Sequence, residues 1–112
     1  MEGQYENELI PIAMQIIIHA GDARNLLVDA MKMAKIFDFS AAEKKLFEAE
    51  KKIVLAHKAQ TEVIQKEANG HYYEIFLLFV HAQDTLMTIN SEVKMTKEMI
   101  DILRIVERGQ KE

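Results

Sequence analysis

Apolar residues recur along this chain at intervals of three and four, which is the spacing of amphipathic helices. The pattern predicts three long helices, at about residues 6–36, 40–68 and 72–106. Only four glycines and one proline interrupt the sequence. We therefore expect an all-α fold in which three long helices run antiparallel to their neighbours, up, down and up, as in a spectrin repeat.

Capping and breaking residues support these boundaries. Pro11 lies near the first turn of the first helix, where its missing N–H does no harm. Ser40 can cap the second helix, with Glu43 reaching back to it, and the Asn-Gly pair at 69–70 tolerates the left-handed backbone that ends a helix. Gly21 costs the first helix about 1 kcal/mol relative to Ala, so we expect a close backbone approach or a bend there.

The third predicted helix is apolar on two sides. One stripe should face the first two helices, whereas a second stripe at heptad-like spacing must be covered by something else. The first stripe comprises Ile75, Phe79, Ala82, Leu86, Ile89, Val93, Ile100 and Leu103. The second stripe comprises Leu77, Val80, Asp84, Met87, Ser91 and Lys94 or Met95.

Composition narrows the possible functions. The 112 residues, 49% of them hydrophobic, suit one domain over residues 1–112. The absence of Cys excludes disulfides and thiol nucleophiles. The acidic N-terminus does not resemble a signal peptide, and no apolar run approaches the roughly 20 residues of a transmembrane helix, so we expect a cytoplasmic protein without direct membrane insertion. The formal charge of −4 argues against nucleic acid as a partner.

Residues 72–88 place one histidine and one aspartate in an otherwise apolar run. On a helix, Asp84, Thr85 and Thr88 lie on the same face as His81. Imidazole offers an unprotonated nitrogen at neutral pH and can also carry a proton, which is what a phosphoryl acceptor requires. We interpret His81 as the residue that carries the chemistry, and the alternative is a buried histidine with a structural role.

Asp84 is an acidic residue inside the second stripe. A lone buried carboxylate is costly unless it is paired, protonated or bound to a cation. Three copies of Asp84 meeting on a threefold axis could hold one hard divalent ion through oxygen ligands. The alternative is that Asp84 lies at the rim of the stripe and is simply hydrated.

The other histidines, His19, His57 and His71, are interpreted as surface or hydrogen-bonded residues. No HExxH or Glu-x-x-His spacing occurs, so the ligands of a zinc protease or a di-iron bundle are missing. The sequence also lacks a GxSxG nucleophile elbow. A hydrolytic site is therefore not expected.

Three blocks of sequence, in order, resemble the IIA component of the lactose/cellobiose class of sugar phosphotransferase systems. They read IIIHAGDARNLLVDAMKMAK in the first helix, AHKAQTEVIQKEANG at the end of the second and VHAQDTLMT in the third. The resemblance extends from about residue 8 to residue 106. Many family members have HAQDHLMT where this chain has Thr85, so a second imidazole is missing there, although the Thr85 hydroxyl can hydrogen-bond across one turn from His81.

The resemblance implies a three-helix subunit that assembles as a homotrimeric nine-helix bundle and relays a phosphoryl group. His81 would accept the group, on Nε2, from the histidine phosphocarrier protein HPr and donate it to a cysteine of the cognate IIB component. IIB would phosphorylate a lactose-, cellobiose- or chitobiose-type sugar as the membrane component IIC imports it. Asp84 would correspond to the carboxylate that clusters at the trimer axis with one divalent cation, Mg²⁺. Gln83 would orient His81, donate a hydrogen bond to the phosphoryl oxygens or pack between subunits.

Two other functions stay open on the residues alone. A histidine phosphotransfer domain of a signalling relay is also small, helical and acidic, but its pattern places lysine and glycine soon after the histidine, where this chain has AQDTLMT. A helical adaptor module without chemistry would use His81 only for packing.

Overall fold

The computed structural model describes residues 7–111 as three helices, α1 (Leu9–Lys35), α2 (Phe39–Ala68) and α3 (Leu77–Lys111). Glu43 and Glu50 of α2 pair with Arg104 and Lys97 of α3, in reverse order along the two helices. α2 is therefore antiparallel to α3, and the short turn after α1 makes it antiparallel to α1 as well. The expected all-α, up-down-up bundle is confirmed, as a rod of 70 × 26 × 18 Å.

Alanine dominates the buried side of α1. Five of its eight buried residues are alanines, and α2 contributes three more at intervals of seven. Because the distance between packed helices depends on the side chains between them, this seam lets α1 and α2 approach closely. The larger buried residues of the two helices fill the space between the alanines: Leu9, Ile16 and Leu27 on α1, and Leu46, Ile53 and Val63 on α2.

α3 packs its first predicted stripe into this core. Six of the eight predicted residues are buried, and Leu103 packs against the cluster while partly exposed. Thr96 fills the gap between Val93 and Ile100, and its hydroxyl donates to the Glu92 carbonyl at 2.8 Å. A buried hydroxyl needs such a partner, so the one buried polar residue of the described core is satisfied within its own helix.

The connection between α1 and α2 is closed by a residue with left-handed backbone. Phe37 has φ +62°, which costs an L-residue roughly 1–2 kcal/mol. In return its N–H donates to the Ala34 carbonyl, and that of Asp38 donates to the Met33 carbonyl, both at 2.9 Å. The Phe37 ring also stacks on Phe39, with centroids 6.0 Å apart.

The predicted capping box at Ser40 is wrong. α2 begins one residue earlier, and the Asp38 side chain is the cap, accepting from the Ala41 N–H at 3.2 Å. Glu43 is not available to such a box because it binds Arg104 at 3.0 Å. At the other end, α2 stops at Ala68 as predicted, and Gly70 has φ +97°.

The third helix begins five residues later than predicted. Residues 71–76 are not helical, and α3 starts at Leu77, where the Phe76 carbonyl accepts from the Phe79 and Val80 N–H groups. Ile75, assigned to the buried stripe, is therefore outside the helix and 51% exposed. At its other end α3 continues to Lys111, past the predicted end at residue 106. The predicted first helix is also shortened to Leu9–Lys35, and its residue 6 lies outside the described range.

Gly21 does not mark a close approach within the chain. A Cβ placed there would meet nothing within 4 Å. The subunit itself therefore gives no packing reason for glycine at this position.

We predict that Gly21→Ala raises the free energy of unfolding by about 0.5–1 kcal/mol, because Ala loses less backbone entropy in a helix. Urea denaturation followed by circular dichroism measures this. Gly109→Ala, in the last turn of α3, is the matched control and should gain less. A loss of stability at Gly21 would mean that another chain approaches the α1 backbone there.

Candidate functional site

His81 lies in the second turn of α3 and is exposed. It lies on the edge of α3 that borders α1. Positions seven and fourteen residues further along this edge are Thr88 and Met95, and Met95 lines a groove between the two helices. Seven residues make nearly two turns of helix, so His81 lies on the same side of α3 as this groove, nearer the start of the helix. An exposed imidazole in this position can be reached by another protein.

The facing wall of this groove belongs to α1. Arg24, Val28 and Met31 line the groove, and the same heptad positions earlier in α1 are occupied by Ile10, Met14, Ile17 and Gly21. Ile10 is 39% and Met14 44% exposed. The side of α1 that is turned towards the His81 side of α3 is therefore mainly apolar before Arg24.

An ion pair ties the two walls together near the middle of the rod. Arg24 donates from Nε and Nη2 to the two carboxylate oxygens of Glu92, both at 2.9 Å. The hydrogen bond to Glu92 raises the pKa of Arg24. Such a two-point contact fixes orientation as well as distance, so it holds α1 and α3 in register along the rod.

Asp84 is exposed on the second stripe of α3, as are the apolar residues around it. Leu77 is 82%, Val80 47% and Met87 57% exposed. Residues 7–111 contain no group of three or more His, Cys, Asp or Glu side chains that could hold a metal ion. One Asp84 supplies a single carboxylate, so a hard divalent cation fits here only if further copies of the chain complete its ligands.

Gln83 does not face His81 in the same chain. Two residues along a helix turn the side chain by about 200°. Gln83 instead shares the edge of Lys97, fourteen residues on, which binds Glu50 of α2 at 2.7 Å. Gln83 is half-buried on the α2 side of α3, whereas His81 is on the α1 side. Thr85 is half-buried, one turn after His81 on the same side.

The remaining histidines lie on separate elements. His19 is half-buried on α1, and its Nδ1 is buried without a hydrogen-bond partner among the described residues. His57 is half-buried on α2. His71 is bonded to Glu8, as expected of a surface residue. None of them shares the edge of His81.

The sequence pattern did not reveal a clamp that holds the start of α3 against the start of α1. The Asn7 side chain donates to the Glu74 carbonyl at 2.7 Å and accepts from the Leu9 N–H at 2.8 Å. His71 Nε2 lies 3.0 Å from Glu8 Oε2, and its ring meets Tyr73 edge-on at 4.4 Å. The only sequence signal was an Asn two residues before a helix, which is typical of a cap.

No helix in the described part of the chain is both long enough and apolar enough to cross a membrane.

Comparisons with a protein-family model, with known sequences and with solved structures agree with one another. The family model described as "PTS system, Lactose/Cellobiose specific IIA subunit" matches residues 11–104. The lichenan-specific phosphotransferase enzyme IIA component of Bacillus subtilis is 42% identical over 95 residues, which are 85% of this chain and 86% of that protein.

Two solved structures share the fold. The PTS cellobiose-specific enzyme IIA from Bacillus anthracis superposes with a TM-score of 0.87 at 33% identity, over 95% of this chain and 97% of that one. A chain from the solution structures of the IIA(chitobiose)–HPr complex of Escherichia coli superposes with a TM-score of 0.77 at 31% identity, over 91% and 99%.

We predict that Asn7→Ala lowers the free energy of unfolding by about 1 kcal/mol, since a helix cap is lost together with a contact to the segment before α3. Asn25→Ala, on the exposed surface of α1, is the matched control and should change it by less than about 0.5 kcal/mol. Urea denaturation of both variants measures the difference. Equal shifts would show that the clamp contributes nothing.

Proposed function

Because the chain belongs to the lactose/cellobiose-specific IIA family of sugar phosphotransferase systems, we propose that it is the cytoplasmic phosphohistidine carrier of such a system. His81 accepts a phosphoryl group from HPr and passes it to a cysteine of the cognate IIB component. The observation that carries this proposal is the exposed imidazole of His81 on the α1 side of α3. Family membership favours this carrier over a signalling relay domain or a helical adaptor.

The proposed reaction consists of two phosphoryl transfers. In the first, Nε2 of His81 attacks phosphorus in line, a P–N bond to His81 forms and the P–N bond to the donor histidine breaks. In the second, a cysteine thiolate of IIB attacks, a P–S bond forms and the P–N bond to His81 breaks. Such transfers depend mainly on alignment and charge stabilisation, so an exposed and oriented imidazole is the main requirement placed on this chain.

The second stripe of α3 supports assembly as a homotrimer. Its apolar residues Leu77, Val80 and Met87 are all exposed. Exposed apolar surface favours contact with other chains, and closed symmetry is the usual form of such contacts. We propose that the three α3 helices meet along a threefold axis at this stripe and form a nine-helix bundle. The α1 side of α3 in one copy would then adjoin the α2 side of α3 in the next.

This arrangement gives Gln83 a role across the subunit junction. Its side chain is on the α2 side of α3, away from His81 of its own chain. In a cyclic trimer it would come near His81 of the neighbouring chain, where its amide could donate to the imidazole or to the phosphoryl oxygens.

Asp84 would then line the threefold axis. Three carboxylates at one level repel one another unless protonated or bound to a cation. We propose that they hold one Mg²⁺ per trimer, whose positive charge would offset the acid near the phosphorylated His81. Thr85, one turn from His81, offers a hydroxyl on the same side.

The IIB partner would transfer the phosphoryl group to the sugar as IIC imports it. A sugar of the lactose, cellobiose or chitobiose type is proposed from the family alone. This chain would contact the protein partners and not the sugar.

We predict that His81→Ala abolishes phosphorylation by phosphoenolpyruvate, enzyme I and HPr, because the acceptor nitrogen is removed. Incorporation of ³²P measures this, and circular dichroism should show unchanged helix content. His57→Ala, on α2, is the matched control and should be labelled as fast as the wild type. Label on the His81→Ala protein would disprove the assignment.

We predict that Asp84→Leu removes the bound cation and keeps the trimer, with equal or higher stability, since a cluster of like charges is replaced by apolar contacts. Sedimentation with and without a chelator gives the mass, and elemental analysis gives the metal content. A wild-type trimer that contains no metal would refute the proposed axial site.

A further inference from the structure

The two halves of the rod differ in charge. Of the 14 Lys and Arg residues of the chain, only Lys58 and Lys66 lie in the half that holds His81, which comprises residues 7–21 and 55–91. The same half contains five Asp and Glu residues. Positive charge is therefore concentrated in the other half, although the chain as a whole has a formal charge of −4.

The end of the rod opposite His81 is formed by the connection between α1 and α2 and by the end of α3. Arg104 joins these parts, since it binds Glu43 at 3.0 Å and lies over the Phe39 ring at 4.8 Å from the centroid. We call residues 35–47 and 102–111 the distal tip. It contains six Lys and Arg residues and three acidic residues.

The three acids of the distal tip already have partners within the chain. The Asp38 side chain caps α2, and Glu43 and Glu107 each bind a basic residue of α3. Lys35 and Lys44 are exposed and form no ion pair with another residue in the range 7–111. The distal tip can therefore offer these ammonium groups to an anion outside the chain.

Large apolar side chains are exposed beside these lysines. Ile36, directly after α1, is 69% exposed. Phe47 on α2 is 58% exposed, and Lys51 Nζ lies 4.6 Å from the centroid of its ring. Neither Ile36 nor Phe47 belongs to the second stripe of α3, so contact between copies along that stripe would not cover them. Lys residues interleaved with apolar side chains suit the headgroup region of an anionic bilayer.

The size of the distal tip distinguishes a bilayer from a protein partner. The rod is 26 × 18 Å across, so its end presents roughly 470 Å², whereas a stable protein interface needs about 800 Å² from each partner. A bilayer needs no matching shape, and in the proposed trimer three tips at the same end would contact it together. An anionic bilayer is therefore the partner that fits this end of the rod.

We propose that the distal tip binds the surface of a membrane that contains anionic lipids. Lys35 and Lys44 meet the lipid phosphates, and Ile36 and Phe47 enter the headgroup region. The net negative charge of the chain does not prevent this contact, because charges are screened beyond about 8 Å in physiological salt and the acidic half of the 70 Å rod lies farther from the lipid. His81 then remains in water at the opposite end. The inference does not depend on the proposed phosphoryl transfer.

The first test is co-sedimentation of the full chain with vesicles of phosphatidylcholine alone and of phosphatidylcholine mixed with phosphatidylglycerol. The wild type should bind only the mixed vesicles, and high salt should release it. Lys35→Glu with Lys44→Glu should lower the bound fraction about tenfold, because each Lys near an anionic surface contributes to binding. Lys58→Glu with Lys66→Glu is the matched control, since it changes the net charge equally in the His81 half, and it should lower the bound fraction less than about twofold.

The second test places a fluorescent reporter at the distal tip. The chain contains no Trp, so Ile36→Trp gives a single emission that should shift to the blue with the mixed vesicles. Val54→Trp, at an exposed position of α2 outside the distal tip, should show no shift.

Several outcomes would overturn the inference: equal binding to both kinds of vesicle, equal losses in the two Lys double variants, or an unshifted emission of Ile36→Trp. Retention on immobilised polyglutamate without binding to vesicles would also overturn it and would assign the distal tip to an acidic protein. Labelling by HPr tests the proposed function separately, and Lys35→Glu with Lys44→Glu should be labelled as fast as the wild type.

Discussion

The packing of small residues between α1 and α2 is the constraint on which the rest of the structure depends. Five alanines on α1 and three on α2 are buried. Protein interiors are packed so densely that even one added methylene group disturbs the surrounding packing. A larger residue at these positions would push the two helices apart. α1 could then no longer present a continuous surface to α3.

α3 packs against this pair of helices through one side only, so residues on its other sides remain accessible. Its buried stripe runs from Phe79 to Ile100. The α1 side carries His81, the α2 side carries Gln83, and the side opposite the core carries Asp84 and the second apolar stripe. One helix therefore directs its buried stripe, His81 and its exposed apolar stripe to different sides, because successive residues of a helix turn by about 100°.

Much of the fold could be predicted from the sequence, because the spacing of apolar residues indicates which side of each helix is buried. The buried lines of α1 and α2 and most of that of α3 follow from spacings of three and four. The start of α3 could not be predicted in this way. Residues 71–76 continue the apolar pattern, but Tyr73 is buried and the Glu74 carbonyl accepts from Asn7, and these distant contacts outweigh local helical preference.

The candidate site could also be predicted in part from the sequence pattern. His81 was identifiable as a polar residue in an apolar run, and its exposed position on a helix agrees with a reactive role. The alignment of α1 beside it was not identifiable, since that alignment depends on contacts such as the ion pair of Arg24 with Glu92, which join residues far apart in sequence. The expectation of a close approach at Gly21 could not be checked from the sequence, because the open space beside this residue depends on how the three helices pack.

The odd number of long helices has a practical consequence for labelling. α1 begins at the end of the rod that holds His81, whereas α3 finishes at the opposite end. His81 and Lys111 are separated by about 45 Å at 1.5 Å per residue. A fluorophore or fusion protein attached after α3 would therefore be remote from the imidazole. One attached ahead of α1 would lie near it and would report on, or obstruct, binding of another molecule at His81.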